Sequence, residues 1–513
     1  MSTPLPILDD ADFRAVVSAR AGSLLGAAAR LAEVGPDETE TALAVLCRPL
    51  LSEMLSQAVQ LEELLDAYGA LRNERWRPFR NRVAAMKLFA RVHYSWVHLA
   101  HAFPHYQCVP VDGDLAAALL EGKRFTAQVL HLVSRKLLEA AAGLDLTPAK
   151  LAVCEERLPA GLLPQDRPLR HVADVAGTVA RLATAFLNLA EEAGGLSRPP
   201  PDLPEEAELR RLSEDFHNLQ ALYDTHVAHT DVERDDPQIR ALRGHASTVF
   251  HLLEIATELT HFHERHVLHA APAADGNGLL TAPYGIGPER LEGVLHGCAL
   301  AYAGRYVAAG RSFAQQLLRR YAEQGEITVA VPRYRGFHVR PSTLVARVTY
   351  HYGSPVTMTL DEETYDAASP LDLFRANERI NARKRRWLAK EIARIMEDPS
   401  AKEWLQEGVS AASREVVMRL ADEAKVIVYE HPLQPVESAC EPCEGQPLIS
   451  FVVDAVARLQ ALGKLDIVTA VHATFRGDRR VLADIEKLAG SGYGEDAYGN
   501  NIALPEELRY LRR

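Results

Sequence analysis

The run Gly336-Phe337-His338-Val339-Arg340-Pro341-Ser342 places an imidazole two positions before a guanidinium and three before a proline. Proline suits the first turn of a helix, where its missing N–H sacrifices no hydrogen bond. His338 is therefore expected at a helix entrance, beside backbone amides without helical partners and at the positive end of the helix dipole. Arg340 adds a permanent cation with several donors. An imidazole in such an anion site could take up a phosphoryl group and release it again, with Arg340, Pro341 and Ser342 as the expected phosphate-binding residues.

Other groups carry weaker signals. Glu214-x-x-His217 and Glu258-x-x-His261 have the one-face spacing of carboxylate–histidine sites in helical bundles. Two helices paired about a turn near residue 234 would bring Glu214 opposite Glu254 and His217 opposite His251. Polar helix faces satisfy the same spacing, and no metal is assigned. His261, His263, His266 and His269 cluster where a helix C-terminus favours cations. Cys440-x-x-Cys443 is one thiol pair with only His431 near it, whereas structural zinc takes four ligands. Arg72, Arg75, Arg77, Arg80 and Arg82, like Arg383, Lys384, Arg385 and Arg386, read as solvated helix faces. No phosphate-binding glycine loop, zincin sequence or nucleophile elbow is present, and no cofactor is expected.

The elements that must position these residues fall into two regions. A chain of 513 residues is long enough for two or more domains. Hydrophobic residues at 47% supply core material, and a net charge of -12 argues against a surface built for nucleic acid. Residues 8–325 read as helix almost throughout, with Leu51, Met54, Leu55, Ala58, Leu61 and Leu65 at helical spacing. Thr147-Pro148 reads as a helix start, and Pro199, Pro200, Pro201 and Pro204 as a linker between helical regions 1–198 and 205–324. Two long helices, about 206–230 and 236–269, follow that linker. At Gly325 the character changes. Strands are expected at 326–331 and 356–360, with a helix at 341–352 between them and a charged helix from Pro370 to about Glu397. Residues 425–429 and 466–471 are further strand candidates, and 478–489 a last helix. The fold class is α+β multidomain: a large all-α region followed by a smaller α+β module over 325–513. The 1–13 segment has no basic stretch leading into an apolar one, no apolar run reaches about 18 residues, and isolated cysteines point to reducing surroundings; a cytoplasmic protein without a membrane span is expected.

The His338 run resembles the active-site signature of the histidine-containing phosphocarrier protein (HPr) family of the bacterial phosphotransferase system. The segment Tyr365-Asp366-Ala367-Ala368-Ser369-Pro370-Leu371 is similar to that family's stretch around a regulatory serine. Ile485-Glu486-Lys487-Leu488 and Gly492-Tyr493-Gly494-Glu495 are similar to its last helix and tail. The resemblance covers about 326–380 and 465–495. It implies an HPr-like open-faced β-sandwich with a helical insertion at about 390–464, and 466–471 as the closing strand. It further implies a phosphoryl group accepted on His338 from a phospho-enzyme I-like donor, held by Arg340, passed to an acceptor, and regulated at Ser369. Pro370, where the family has an aliphatic residue, and the insertion are departures. The contrasting expectations are a non-phosphorylated adaptor that uses the same fold as a binding surface, or a helical metal-binding protein with a vestigial HPr domain.

Overall fold

A computed structural model of the chain describes residues 7–35, 38–150, 163–164, 166–196, 204–267, 287–429, 448–468 and 470–512. It is a helix-rich α+β protein with a small antiparallel sheet. The chain divides into two compact units, Met1–Ala314 and Gln315–Arg513, and the division falls inside a helix, before the composition change at Gly325.

The first unit is built from α1 (Asp10–Ala32), α2 (Thr39–Val45), α3 (Arg48–Ala67), α4 (Arg77–Ala102), α5 (Leu115–Ala142), α6 (Val175–Glu192), α7 (Glu206–His226), α8 (Asp231–Asp235), α9 (Arg240–Phe262), α10 (Pro288–Val294) and the start of α11 (Ala301–Arg320). Side-chain caps set several starts: Asp9, Asp114 and Asp174 accept from backbone amides at the entries of α1, α5 and α6. The apolar stripe expected around residue 55 is the buried face of α3. Thr147 and Pro148 lie in irregular backbone instead of opening a helix there. Pro199, Pro200 and Pro201 lie outside the described residues. Helices α7 and α9 pair antiparallel, with Glu206 opposite His261, Gln220 opposite Ser247 and Asp224 opposite Arg243. The long helix expected over 236–269 is regular only over α9, with a tight turn at Pro237–Ile239 before it and π-helical residues His263–Val267 after it. No single helix among the described residues is long and apolar enough to cross a membrane.

The second unit runs β1 (Gln324–Ala330), α12 (Val339–Tyr352), β2 (Val356–Leu360), β3 (Glu363–Asp366), α13 (Pro370–Met396), α14 (Ala401–Gln406), α15 (Val409–Asp422), β4 (Val426–Val428), α16 (Leu448–Ala461), β5 (Leu465–Ile467), β6 (His472–Asp478) and α17 (Arg479–Gly490). Strands β1, β6, β2 and β3 form one antiparallel sheet in that order. Ile327, Phe475, Met358 and Tyr365 pair in register across all four strands, on the face that the core covers. One residue along, Thr328, Thr474, Thr359 and Thr364 line the opposite face, as strand alternation requires.

The closing strand corrects the sequence expectation. The start of the expected strand, Leu465–Ile467, does not join this sheet; it is β5 and pairs with β4 in a separate two-stranded sheet, and only Val471, whose carbonyl accepts from Val331 N–H, touches the larger one. The sheet is closed by β6, where Ala473 and Phe475 point inward and His472 and Arg476 outward. Asp466 would place a carboxylate in the larger sheet. In its actual place it meets Lys384 in an ion pair. The elements between β3 and β6 have a core of their own, with Leu388, Ile392, Val416, Leu420, Val456 and Leu465 buried together. Helix α13 runs unbroken through residue 390, so this extra layer grows out of the end of a long helix.

Candidate functional site

His338 is the N-cap of α12, with extended backbone (φ -77°, ψ -170°), and its carbonyl accepts the first helical bond from Ser342 N–H at 3.1 Å. Pro341 sits in the first turn, as its chemistry requires. Ser342 departs from its expected role. Its side chain is buried, its hydroxyl donates to Phe337 O at 2.9 Å, and its amide is spent inside the helix. Ser342 therefore braces the turn, and the amides of Val339 and Arg340 are the donors left at the helix entrance.

The imidazole has a partner that spacing alone does not reveal. His338 Nε2 lies 2.8 Å from Oε2 of Glu495, a carboxylate 157 positions away whose residue is 9% exposed. A second arm of the site crosses it: Arg340 Nε lies 3.7 Å from Glu495 Oε1, and Arg340 Nη1 donates to Asn501 Oδ1 at 2.6 Å. Arg340 Nε is buried and makes no hydrogen bond. Glu495 is delivered by the turn after α17. Gly494 there has φ 78°, and a Cβ on it would come within 3.5 Å of Arg340 Nη2. The turn is closed by Ile502 N–H to Gly494 O at 2.9 Å and by Asp496, which accepts from Asn500 Nδ2, Asn500 N and Tyr498 N. Those bonds hold the Asp496 carboxyl below the usual range, with Asn500 the largest cause.

The loop before His338 is held from below. Arg335 and Gly336 both adopt left-handed backbone, at φ 53° and 62°. Glycine takes such a conformation freely; arginine does so at a cost that its surroundings must offset. Arg335 N–H donates to Asp466 Oδ2 at 3.0 Å, Arg335 O accepts from Asn377 Nδ2 at 3.1 Å, and Arg335 Nη2 donates to Gly463 O at 2.9 Å. A Cβ on Gly336 would lie 2.1 Å from Asn377 Oδ1, so only glycine fits there. Tyr334 sets its ring edge-on to His338, with centroids 5.4 Å apart, and packs on Tyr429. Burial, then the nearby Asp466 charge, pushes the Tyr429 phenol up. The ring of His338 is thus fixed by Tyr334 on one side and Glu495 at Nε2.

Ser369 is the N-cap of α13, and its hydroxyl oxygen accepts from Asp372 N at 3.3 Å. The side chain is half-buried but reachable.

The other sequence candidates do not assemble. His217 packs against Phe250, while His251 bonds Glu254 at 3.0 Å and meets His98 of α4 edge-on, so the four groups on α7 and α9 do not converge on one point. Among the described residues no three histidine, cysteine or acidic side chains could hold a metal ion. His261 is taken by Glu206 and His263 by Glu292. Cys440, Cys443 and His431 lie outside the described residues, as do His269 and the side chain of His266. Glu495, Asn501, Tyr334 and Asp466 are the site residues that sequence reasoning misses. The glycine-flanked Gly492-Tyr493-Gly494-Glu495 turn is the signal that could have pointed to Glu495.

Compared with family models, curated proteins and solved structures, the chain finds no match.

Proposed function

We propose that this chain is an HPr-like phosphocarrier or regulatory protein, cytoplasmic, that accepts a phosphoryl group on His338 from a phospho-enzyme I-like donor and passes it to an acceptor. The observation that carries the reading is His338 at the α12 entrance, with Nε2 on Glu495 at 2.8 Å and Arg340 beside it. A carboxylate at Nε2 favours the tautomer protonated there, which leaves the lone pair on Nδ1. That pair attacks phosphorus as the donor's P–N bond breaks, and the bonding electrons leave with the donor imidazole. The product ring carries positive charge, which Glu495 offsets while it shares the Nε2 proton. Arg340 and the amides of Val339 and Arg340 are placed to bear charge on the phosphoryl oxygens. The four-stranded sheet with one covered face supports an HPr-like open-faced sandwich as the scaffold.

The adaptor reading is favoured by one observation: Arg340 is already engaged by Asn501 and faces Glu495, so the anion site is filled from within the chain. Incubation with phosphoenolpyruvate and enzyme I from the same cell, followed by intact mass, separates the two. The carrier reading expects one acid-labile, base-stable phosphoryl group, absent in His338→Ala. No mass gain in the parent chain, or an equal gain in His338→Ala, supports the adaptor.

A further inference from the structure

A cleft of about 230 Å³ lies between α4, α7 and α9, wholly within the first unit. Pockets for drug-sized ligands run to roughly 300–1,000 Å³, so an occupant here has few heavy atoms. Part of the lining is apolar: Val92, Ile255 and the ring of Phe250. The rest is hydroxyls and charges.

The hydroxyls are Ser95 of α4 and Ser213 of α7, which lie in the buried stripes of their helices at 9% and 6% exposed. Neither serine side chain makes a hydrogen bond to any of the described residues. Thr257, beside them on α9, donates to Leu253 O at 2.7 Å, the usual way a helical hydroxyl is satisfied. Buried polar groups are costly without a partner, so two unpartnered hydroxyls on one cleft mark a place for a polar ligand.

The charges do not balance. Arg91 Nη1 pairs with Glu258 Oε1 at 3.1 Å, and Arg210 Nη2 with Glu206 Oε1 at 2.5 Å. Both guanidiniums are thereby matched. Glu214 forms no ion pair among the described residues and acts on Arg210 only at longer range. Glu254 meets the His251 imidazole at 3.0 Å. Two carboxylates lining the cleft thus have no guanidinium of their own, and surplus negative charge in a part-enclosed cleft draws in a cation. The side chains do not converge as metal ligands must. An ammonium, with three rotatable donors, meets separated acceptors more easily, and the Phe250 face adds to its attraction.

We propose that this cleft binds a small amino alcohol: a primary ammonium held by Glu214 and Glu254, a short apolar stem against Val92, Ile255 and Phe250, and a hydroxyl met by Ser95 and Ser213.

The test titrates the full chain with 4-aminobutan-1-ol and follows saturation-transfer NMR of the probe. Binding at about 20 mM salt should saturate, and should weaken towards roughly 300 mM. Glu214→Gln/Glu254→Gln should weaken it about tenfold or more, with an unchanged unfolding midpoint, because neither carboxylate pairs with a guanidinium. Ser95→Ala/Ser213→Ala should weaken the amino alcohol about 2- to 12-fold, the range of one net hydrogen bond, and leave butylammonium unchanged. The proposal is overturned by absence of saturable binding, by equal affinity in the glutamine variant, or by equal losses of both probes in the alanine variant. Tetramethylammonium binding as tightly as the probe would overturn it too, since charge alone would then suffice. Equal binding of 4-aminobutanoate would also overturn it, and would mark a site for zwitterions. The glutamine variant decides the matter even where the alanine variant fails to fold.

Discussion

The Lys384 ammonium lies 2.8 and 2.9 Å from the two carboxylate oxygens of Asp466, and the residues are 2% and 4% exposed. The same carboxylate accepts Arg335 N–H, three residues before His338. One buried pair thus joins α13, the β4–β5 layer and the loop that carries the imidazole. Removing one partner of a buried pair strands a charge, which costs about 3–5 kcal/mol. Lys384→Met should destabilise the second unit by that amount in urea unfolding, while Lys384→Met/Asp466→Leu should recover a large part. A double variant no more stable than the single would show that the Asp466–Arg335 contact, not the ion pair, dominates.

Glu495 gives the phosphocarrier reading its sharpest mutational test. Glu495→Gln keeps the shape and an acceptor at Nε2 but removes the negative charge that offsets the positive product ring, and should slow labelling of His338 about tenfold or more. Arg340→Ala removes one charge-assisted contact worth roughly 1.5–3 kcal/mol, so labelling should persist at a rate reduced about 10- to 150-fold. Single-turnover phosphoryl transfer measures both. Unchanged rates in the two variants would remove these residues from the chemistry.

Ser369 separates stability from regulation. Its cap to Asp372 N means that Ser369→Ala should cost about 0.5–2 kcal/mol. Aspartate is itself a good N-cap, so Ser369→Asp should keep the stability. If the serine is regulatory, Ser369→Asp should still slow phosphoryl transfer to His338, and added salt should relieve the effect. Equal rates at low salt would show that the hydroxyl serves only as a cap.

Two buried histidines make the first unit sensitive to acid. His245 accepts from Val109 N–H at Nε2 and meets Tyr306 O through Nδ1, and burial lowers it from 6.5 to about 4. His93, bonded to Thr126, is lowered to about 3, by burial and then by Lys123. Both are depressed histidines, so the unfolded chain binds more protons than the folded one below pH 6.5. Their full contribution is present above about 6.5 and is lost as pH falls through 6.5 towards 4 and 3, at a cost of roughly 3 kcal/mol or more for each. Unfolding midpoints between pH 7 and 4 should fall accordingly, and His245→Gln should flatten the slope. A midpoint constant over that range would show that neither histidine is neutral in the folded chain.

Local chemistry made part of this legible in the sequence. Pro341 after His338 and Ser369 before Pro370 mark helix starts by their own backbone preferences, and α12 and α13 begin close to where those residues place them. The turn near residue 234 likewise set α7 against α9 almost in register. What the sequence hid depends on rotation and on distance. Nothing in the helical period shows that His251 turns toward α4 instead of His217. Alternation at 466–471 resembles that at 472–478, and the Lys384 that pairs with Asp466 and holds it away from the larger sheet lies 82 positions earlier. The Glu495 contact spans too many residues for spacing to report.

The strand order β1-β6-β2-β3 puts the last strand made in the interior of the sheet. β1 has no other strand neighbour in that sheet, and its pairing with β6 joins Thr328 to Thr474, 146 positions apart. At roughly 5–20 residues per second, a ribosome spends about 7–30 s making the chain between them. During that interval β1 and one edge of β2 present unfilled ladders of amides and carbonyls, the feature that invites intermolecular strand pairing. The extra layer between β3 and β6 lengthens this wait, yet its own core can assemble before β6 emerges. Birth of the His338 site is therefore late and abrupt: the imidazole's loop is synthesised early, but its scaffold and Glu495 arrive together, after the final strand has threaded between two that were already waiting.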